Sequence, residues 1–174
     1  MKYIINLLKY CFYIVRYKRK VYIKKLPKNH RLPKIEAYGG KVSIGNNFMT
    51  NKGCYLKTVD KGRIIIGNNV FMNHNCIITA MGNISIGDDA KIGPNVMIFD
   101  HDHEYRNHND DCESYIINDI TIGKNCWIGA GTIILRGCNI GDNCVIAAGT
   151  VIKESVDDNT LVYRQVKMVK KEIW

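Results

Sequence analysis

Isoleucine recurs at every sixth position from Ile122 through Ile128, Ile134, Ile140 and Ile146 to Ile152. An amphipathic helix repeats its apolar residues near every 3.6 positions and a half-buried strand every second one, so a period of six excludes both as the organising unit. A short strand and a turn, repeated at a rotated angle, put each isoleucine inside and make one flat face per hexad. Three hexads then close one coil of a β-helix. Glycine follows Ile122, Ile128 and Ile140, where a Cβ would obstruct the turn, and Asp or Asn commonly comes next, as corners require. Cys126, Thr132, Cys138, Cys144 and Thr150 each stand four places after an isoleucine, where stacked coils leave room for small side chains only.

The same grammar appears earlier at Ile44-Gly45-Asn46-Asn47, Ile66-Gly67-Asn68-Asn69, Ile86-Gly87-Asp88-Asp89 and Ile92-Gly93-Pro94. The fold class is therefore all-β, a parallel β-helix predicted over 39–155, with an N-terminal arm at 1–38 and a C-terminal tail at 156–174. Between Ile98 and Ile122 the period lapses. The stretch there holds three of the five histidines and a dense set of acids, so a polar loop at 99–119 is predicted to project from the coil. Irregular segments carried by a rigid scaffold are well placed for chemistry.

A chain of 174 residues with three prolines and no linker reads as one domain with appendages. Its formal charge of +9 is local: residues 1–34 contain eleven Lys or Arg and no acid, leaving fourteen bases against sixteen acids elsewhere. Such an arm is either simply solvated or meets an anionic membrane surface or glycan. No nucleic-acid reading module is present. Of the seven cysteines, Cys76, Cys126, Cys138 and Cys144 hold the small inward position and none forms a CxxC pair, which points to reduced core residues and a cytoplasmic protein. The apolar segment YIINLLKYCFYIV is predicted to be helical. It is too short to span a bilayer and lacks a signal-peptide cleavage site. It is expected to pack against an end of the β-helix or to lie peripherally on the inner face of the membrane, where the basic YKRKVYIKK would support it.

Three elements together resemble the hexapeptide-repeat acetyltransferases, especially galactoside and maltose O-acetyltransferases and the capsule and O-antigen O-acetyltransferases. They are the turn Ile92-Gly93-Pro94-Asn95-Val96, the loop Asp100-His101-Asp102-His103, and Ile122-Gly123-Lys124-Asn125-Cys126-Trp127-Ile128-Gly129-Ala130-Gly131. The likeness covers roughly 42–160. It implies a left-handed β-helix, a homotrimer with active sites between subunits, acetyl-CoA as acyl donor, a sugar or glycan acceptor, and no metal. The family's base is a loop histidine, nine residues after the turn Pro and twenty-four before the Trp; both counts, from Pro94 and from Trp127, give His103. His101 is then a supporting or alternative base, and Asp100, Asp102 or Glu104 would orient the ring. Imidazole suits the task, because a sugar hydroxyl attacking a thioester must lose its proton near neutral pH.

The resemblance further implies that Asn73, in Phe71-Met72-Asn73-His74-Asn75, holds the acceptor. It implies that Trp127 lies beside the thioester, with the backbone amides of Ala130 and Ala148 along the pantetheine arm, that of Ala130 serving the developing oxyanion. Lys153 and Lys171 are the partners for cofactor phosphates. The chain departs from the family where a Thr-Lys-Asp turn becomes Ile152-Lys153-Glu154-Ser155, and where the usual AGxPA becomes Tyr163-Arg164-Gln165-Val166-Lys167. Tyr105, Arg106 and Asn107 are expected to shape the acceptor pocket. The leading expectation is O-acetylation of a bacterial surface polysaccharide. Amino-sugar N-acetylation is the alternative within the class. Outside it stand a metal site built from His74, His101, His103 and His108, and a non-catalytic oligomerisation module.

Overall fold

The computed structural model describes residues 1–28, 30–104, 114–165 and 170–172. The chain winds as a parallel β-helix with three sheets of six strands each. The first sheet contains Val21–Ile23, Lys41–Ile44, Arg63–Ile66, Asn83–Ile86, Ile120–Ile122 and Asn139–Ile140. The second contains Met49–Thr50, Phe71–Met72, Lys91–Ile92, Trp127–Ile128, Val145–Ile146 and Leu161–Val162, and the third Lys34–Ala37, Tyr55–Thr58, Ile77–Ala80, Met97–Phe99, Ile133–Ile134 and Val151–Ile152. Each full coil passes through the first, second and third sheets in turn.

The register stacks like on like. Ile23, Ile44, Ile66, Ile86, Ile122 and Ile140 form one interior column. Ile35, Leu56, Ile78, Ile98, Ile134 and Ile152 form another. All six isoleucines of the six-residue period are buried, Ile152 being the most exposed of them at 4%. Burying each such side chain contributes roughly 1.5–3 kcal/mol, so the columns carry most of the favourable free energy. The small positions Cys126, Thr132, Cys138, Cys144 and Thr150 are buried as well, and Cys54 and Cys76 continue their file. Phe48 and Val70 also fill this position, so the N-terminal coils are roomier there than the C-terminal ones.

The corners divide their labour. Asn47, Asn69, Asp89, Asn125 and Asn143 take the left-handed backbone that the turn needs, and their side chains stack into amide ladders such as Asn125 to Asn143 to Asn159. Gly123 serves a different need: a Cβ there would stand 2.6 Å from the Gly141 carbonyl of the next coil.

The stack begins earlier than residue 39, since Val21–Ile23 and Lys34–Ala37 already pair with the coil above, and Leu161–Val162 extends it past residue 155. Helix α1, Lys2–Arg16, packs on the N-terminal end, as one of the two expectations for it required. Asn6 and Tyr13 fasten it. The Asn6 amide donates to Pro27 O and His30 O and accepts from Leu32 N, while the Tyr13 hydroxyl donates to Pro33 O and accepts from Ile35 N.

Candidate active site

The predicted loop is a β-hairpin. Its legs, His101–His103 and Tyr115–Ile117, pair antiparallel, so that His101 faces Ile117 and His103 faces Tyr115 across the ladder. Its tip, with Tyr105, Arg106, Asn107 and His108, lies outside the described residues, as do Val166 and Lys167 of the altered C-terminal segment. Asp100 anchors its base. The fully buried carboxylate accepts from Met81 N at 2.9 Å, Gly82 N at 2.8 Å and His101 Nδ1 at 2.9 Å. A carboxylate only accepts, so Nδ1 of His101 carries the proton and Nε2 is left to take one. Asp100 therefore orients His101, not His103. Asp102 instead accepts from the His103 backbone N–H, and the His103 ring lies against Tyr115 with centroids 4.6 Å apart.

Both histidines line an open groove of about 380 Å³ with Phe99, Asp102, Leu135, Arg136 and Lys153. Register explains the company. Ile98, Ile134 and Ile152 form one column, so the residues that follow them, Phe99, Leu135 and Lys153, stack on the same corner between the third and first sheets. Arg136, whose Nη1 donates to Asn118 Oδ1 at 2.9 Å, was not anticipated as a site residue; counting two places past Ile134 puts it level with Asp100.

The remaining candidates occupy a different corner, where the second sheet turns into the third. Asn73, Ala130 and Ala148 follow Met72, Ile128 and Ile146 there, and Met72, Ile92, Ile128 and Ile146 form one column. Trp127 stands 58% exposed on the adjoining second sheet, flanked by Lys91 and Val145. Asn73 is partly committed to structure: its Oδ1 accepts from Asn51 Nδ2 at 2.9 Å and from the His74 backbone and ring. Lys171 is exposed in the tail and does not line the histidine groove.

Two backbone donors at this corner are left uncapped. Where the first sheet turns into the second, the coil above caps such amides with a side chain: Lys124 N–H donates to Asp142 Oδ1 and Asp142 N–H to Asp158 Oδ1. At the second corner the equivalent residues are alanines, which offer no acceptor. Gly129, Gly131, Ala147 and Gly149 all donate to carbonyls, whereas the N–H groups of Ala130 and Ala148 donate to nothing among the described residues. Both alanines are exposed, and an uncapped backbone N–H takes its partner from solvent or a ligand. Among the described residues, no three His, Cys, Asp or Glu side chains are placed to hold a metal ion.

One corner thus carries His101 and His103, the other the uncapped amides of Ala130 and Ala148, and the third sheet separates them. Comparison with known proteins bears on the fold and the family. Residues 119–154 match the family model described as bacterial transferase hexapeptide (six repeats), and residues 63–99 match hexapeptide repeat of succinyl-transferase. The putative lipopolysaccharide biosynthesis O-acetyl transferase WbbJ of Escherichia coli (strain K12) is 28% identical over 132 residues, 71% of this chain and 67% of that protein. Three further relatives are spanned over only 32%, 43% and 60% of their length. Among solved structures, the AntD N-acyltransferase of Bacillus cereus shares the fold at 22% identity, with TM-score 0.66 over 87% of this chain and 84% of that one. The hexapeptide-repeat acetyltransferase VCA0836 of Vibrio cholerae O1 biovar eltor, solved with acetyl coenzyme A, is 26% identical with TM-score 0.58 over 68% of this chain and 63% of that one. Repeat, register and relatives agree that this chain is similar to the hexapeptide-repeat acyltransferases, whose β-helix fold it shares.

Proposed function

We propose that the chain is an acetyl-CoA-dependent O-acetyltransferase that acylates a sugar hydroxyl in the cytoplasmic assembly of a bacterial surface polysaccharide. The observation that carries this reading is the pair of uncapped amides at Ala130 and Ala148 beside an exposed Trp127. Such a strip fits an extended, amide-bearing thioester arm, whose carbonyls need donors and whose apolar parts need a flat surface. The VCA0836 complex and the WbbJ likeness support the donor and the acceptor class respectively.

In the reaction, the acceptor hydroxyl oxygen bonds to the thioester carbonyl carbon as His103 takes its proton. Ala130 N–H receives the charge that develops on the carbonyl oxygen. The carbon–sulfur bond then breaks, and the departing thiolate recovers the proton from the imidazolium. Asn73 holds the acceptor, Lys153 and Lys171 the phosphates, and the reaction needs no acyl-enzyme because the donor arrives activated. Three copies assemble so that the histidine corner of one faces the amide corner of the next.

One observation favours a second reading of the base: Asp100 fixes the tautomer of His101, as an orienting carboxylate does in other histidine-based sites. Release of the CoA thiol, measured with a panel of hydroxyl- and amino-sugars, separates the readings. With His103 as base, His103→Ala lowers kcat by about 10²–10⁴ while His101→Ala costs less. Full turnover in His103→Ala with loss in His101→Ala moves the base to His101, and transfer only to amino-sugars replaces O- by N-acetylation.

A further inference from the structure

Helix α1 is amphipathic in a way that packing on the β-helix does not exhaust. Its inward face is set by Asn6 and Tyr13, both buried, continued by Tyr17 beyond its end. At about 100° per residue, Ile4, Leu8, Cys11, Phe12 and Val15 fall on the opposite side. The structure leaves that side in solvent: Ile4 is 61% exposed, Leu8 65%, Phe12 58% and Val15 81%. It carries no charge. Along one flank, at intervals of seven, run Lys2, Lys9 and Arg16. The connection to the first coil adds exposed Lys18 and Arg19, the coil itself Lys24, Lys25 and Lys28, and no acid occurs before Glu36. Outward-facing Leu8 and Phe12 also line a groove of about 500 Å³ with Tyr13, Tyr17 and Ile35, which carries Lys9 as well and, at its coil edge, Lys34 and the Lys34-paired Glu36.

We propose that this face is an interfacial anchor that lays the N-terminal end of the β-helix on an anionic phospholipid surface. The charge pattern selects the occupant. Were α1 to pair with copies of itself, the Lys2, Lys9 and Arg16 stripes would repel one another. A neutral apolar partner would leave the whole basic connection without purpose. A lipid surface uses both parts, the apolar side entering the acyl boundary and the cations meeting headgroup phosphates. Length sets the orientation. Fifteen residues extend about 22 Å, short of the ~30 Å hydrocarbon layer, and no described helix is long and apolar enough to cross a membrane, so α1 lies in the plane of the interface. The anchor is independent of acetyl transfer, because none of its residues touches either corner of the site.

The test is co-sedimentation of the full chain with vesicles of phosphatidylcholine alone or mixed with phosphatidylglycerol. The expected result is pelleting with the mixed vesicles and little with phosphatidylcholine, weakening at high salt. Leu8→Ser with Val15→Ser should lower partitioning at least tenfold, and each of Lys24→Gln and Lys25→Gln about fivefold. These positions are exposed, so circular dichroism and the thermal midpoint should stay as in the parent chain. Failure to pellet with anionic vesicles overturns the proposal, as does pelleting unchanged by Leu8→Ser with Val15→Ser. A loss of oligomer mass in that variant without any vesicle binding by the parent would make the face a contact between copies instead. Acetyl transfer to a soluble acceptor is expected to continue in every variant, which keeps the anchor and the enzymatic reading separately testable.

Discussion

At Ala130 and Ala148 the proposed reaction turns on the absence of a side-chain acceptor, and that can be reversed by one substitution. Asp142 caps the Lys124 amide from the coil above, so an aspartate at Ala148 should cap Ala130 in the same way. Ala148→Asp is therefore expected to leave the denaturant midpoint unchanged or slightly raised, while lowering kcat/KM for the thioester by about 10²–10³, the usual effect of losing an oxyanion donor. Steady-state kinetics beside a urea titration checks both halves; loss of stability together with activity would mean that the corner, not the donor, had been damaged. The sequence pointed to Ala130 and Ala148 only through the family resemblance, since their own corner carries His74 and Pro94 in the earlier coils and no local pattern marks the amides. The partner of Asp100 was not legible in sequence. That carboxylate's contacts include the amides of Met81 and Gly82 in the preceding coil, a juxtaposition created by register and invisible to counting from Pro94 or Trp127. Arg136 escaped for the same reason, as nothing local marks it until Ile98 and Ile134 are known to share a column.

Strands of two to four residues hold together here because every coil repeats the same corner, and two glycines show how different those corners are. Gly123 has no Cβ because the Gly141 carbonyl occupies its place, whereas Gly131 has nothing within 4 Å but a φ of +67°. Gly123→Ala should thus cost about 3 kcal/mol, an overpacking penalty against backbone, and Gly131→Ala about 1 kcal/mol, a conformational one, as read from denaturant midpoints. The first coil is clasped from outside by Lys34, Glu36 and Tyr55: Lys34 Nζ lies 2.7 Å from Glu36 Oε1, and the Tyr55 hydroxyl donates to Oε2 at 2.5 Å. The bond from Lys34, then that from Tyr55, hold the Glu36 carboxyl below its usual range. A depressed folded-state pKa means stability present above the unfolded value and lost as pH falls through the folded one. Glu36→Gln should then lower neutral-pH stability by less than about 1 kcal/mol and flatten the acid limb of the stability curve below about pH 4. This coil eluded the reading by period. Its strands at 21–23 and 34–37 lack the Ile-Gly-Asn-Asn corner, and the N-terminal turns take more than eighteen residues: Ile44 stacks on Ile66 and Ile66 on Ile86. A strict six-residue count finds only the C-terminal coils, where Ile122 stacks on Ile140 after eighteen.

Scaled to the whole molecule, the separation of the two corners becomes the governing constraint. His101, His103 and Lys153 line one edge of a rigid triangular prism, while Trp127, Ala130 and Ala148 stand on another face and edge, with the third sheet between them. A β-helix does not flex its corners together, so a site that needs both sets must take them from neighbouring copies, and rotational symmetry makes three such sites in a closed trimer. The mass measured by light scattering should be that of three chains. A sharper test follows from mixing. His103→Ala spoils one corner and Ala148→Asp the other, so each variant alone is inactive. When equal amounts are unfolded and refolded together, subunits assort at random. A site is intact when its histidine comes from an Ala148→Asp chain and its amide corner from a His103→Ala chain, which holds for about one site in four. The mixture should recover about a quarter of parental activity, each variant refolded alone should recover none, and a mixture that stays inactive despite forming trimers would return the whole site to a single chain.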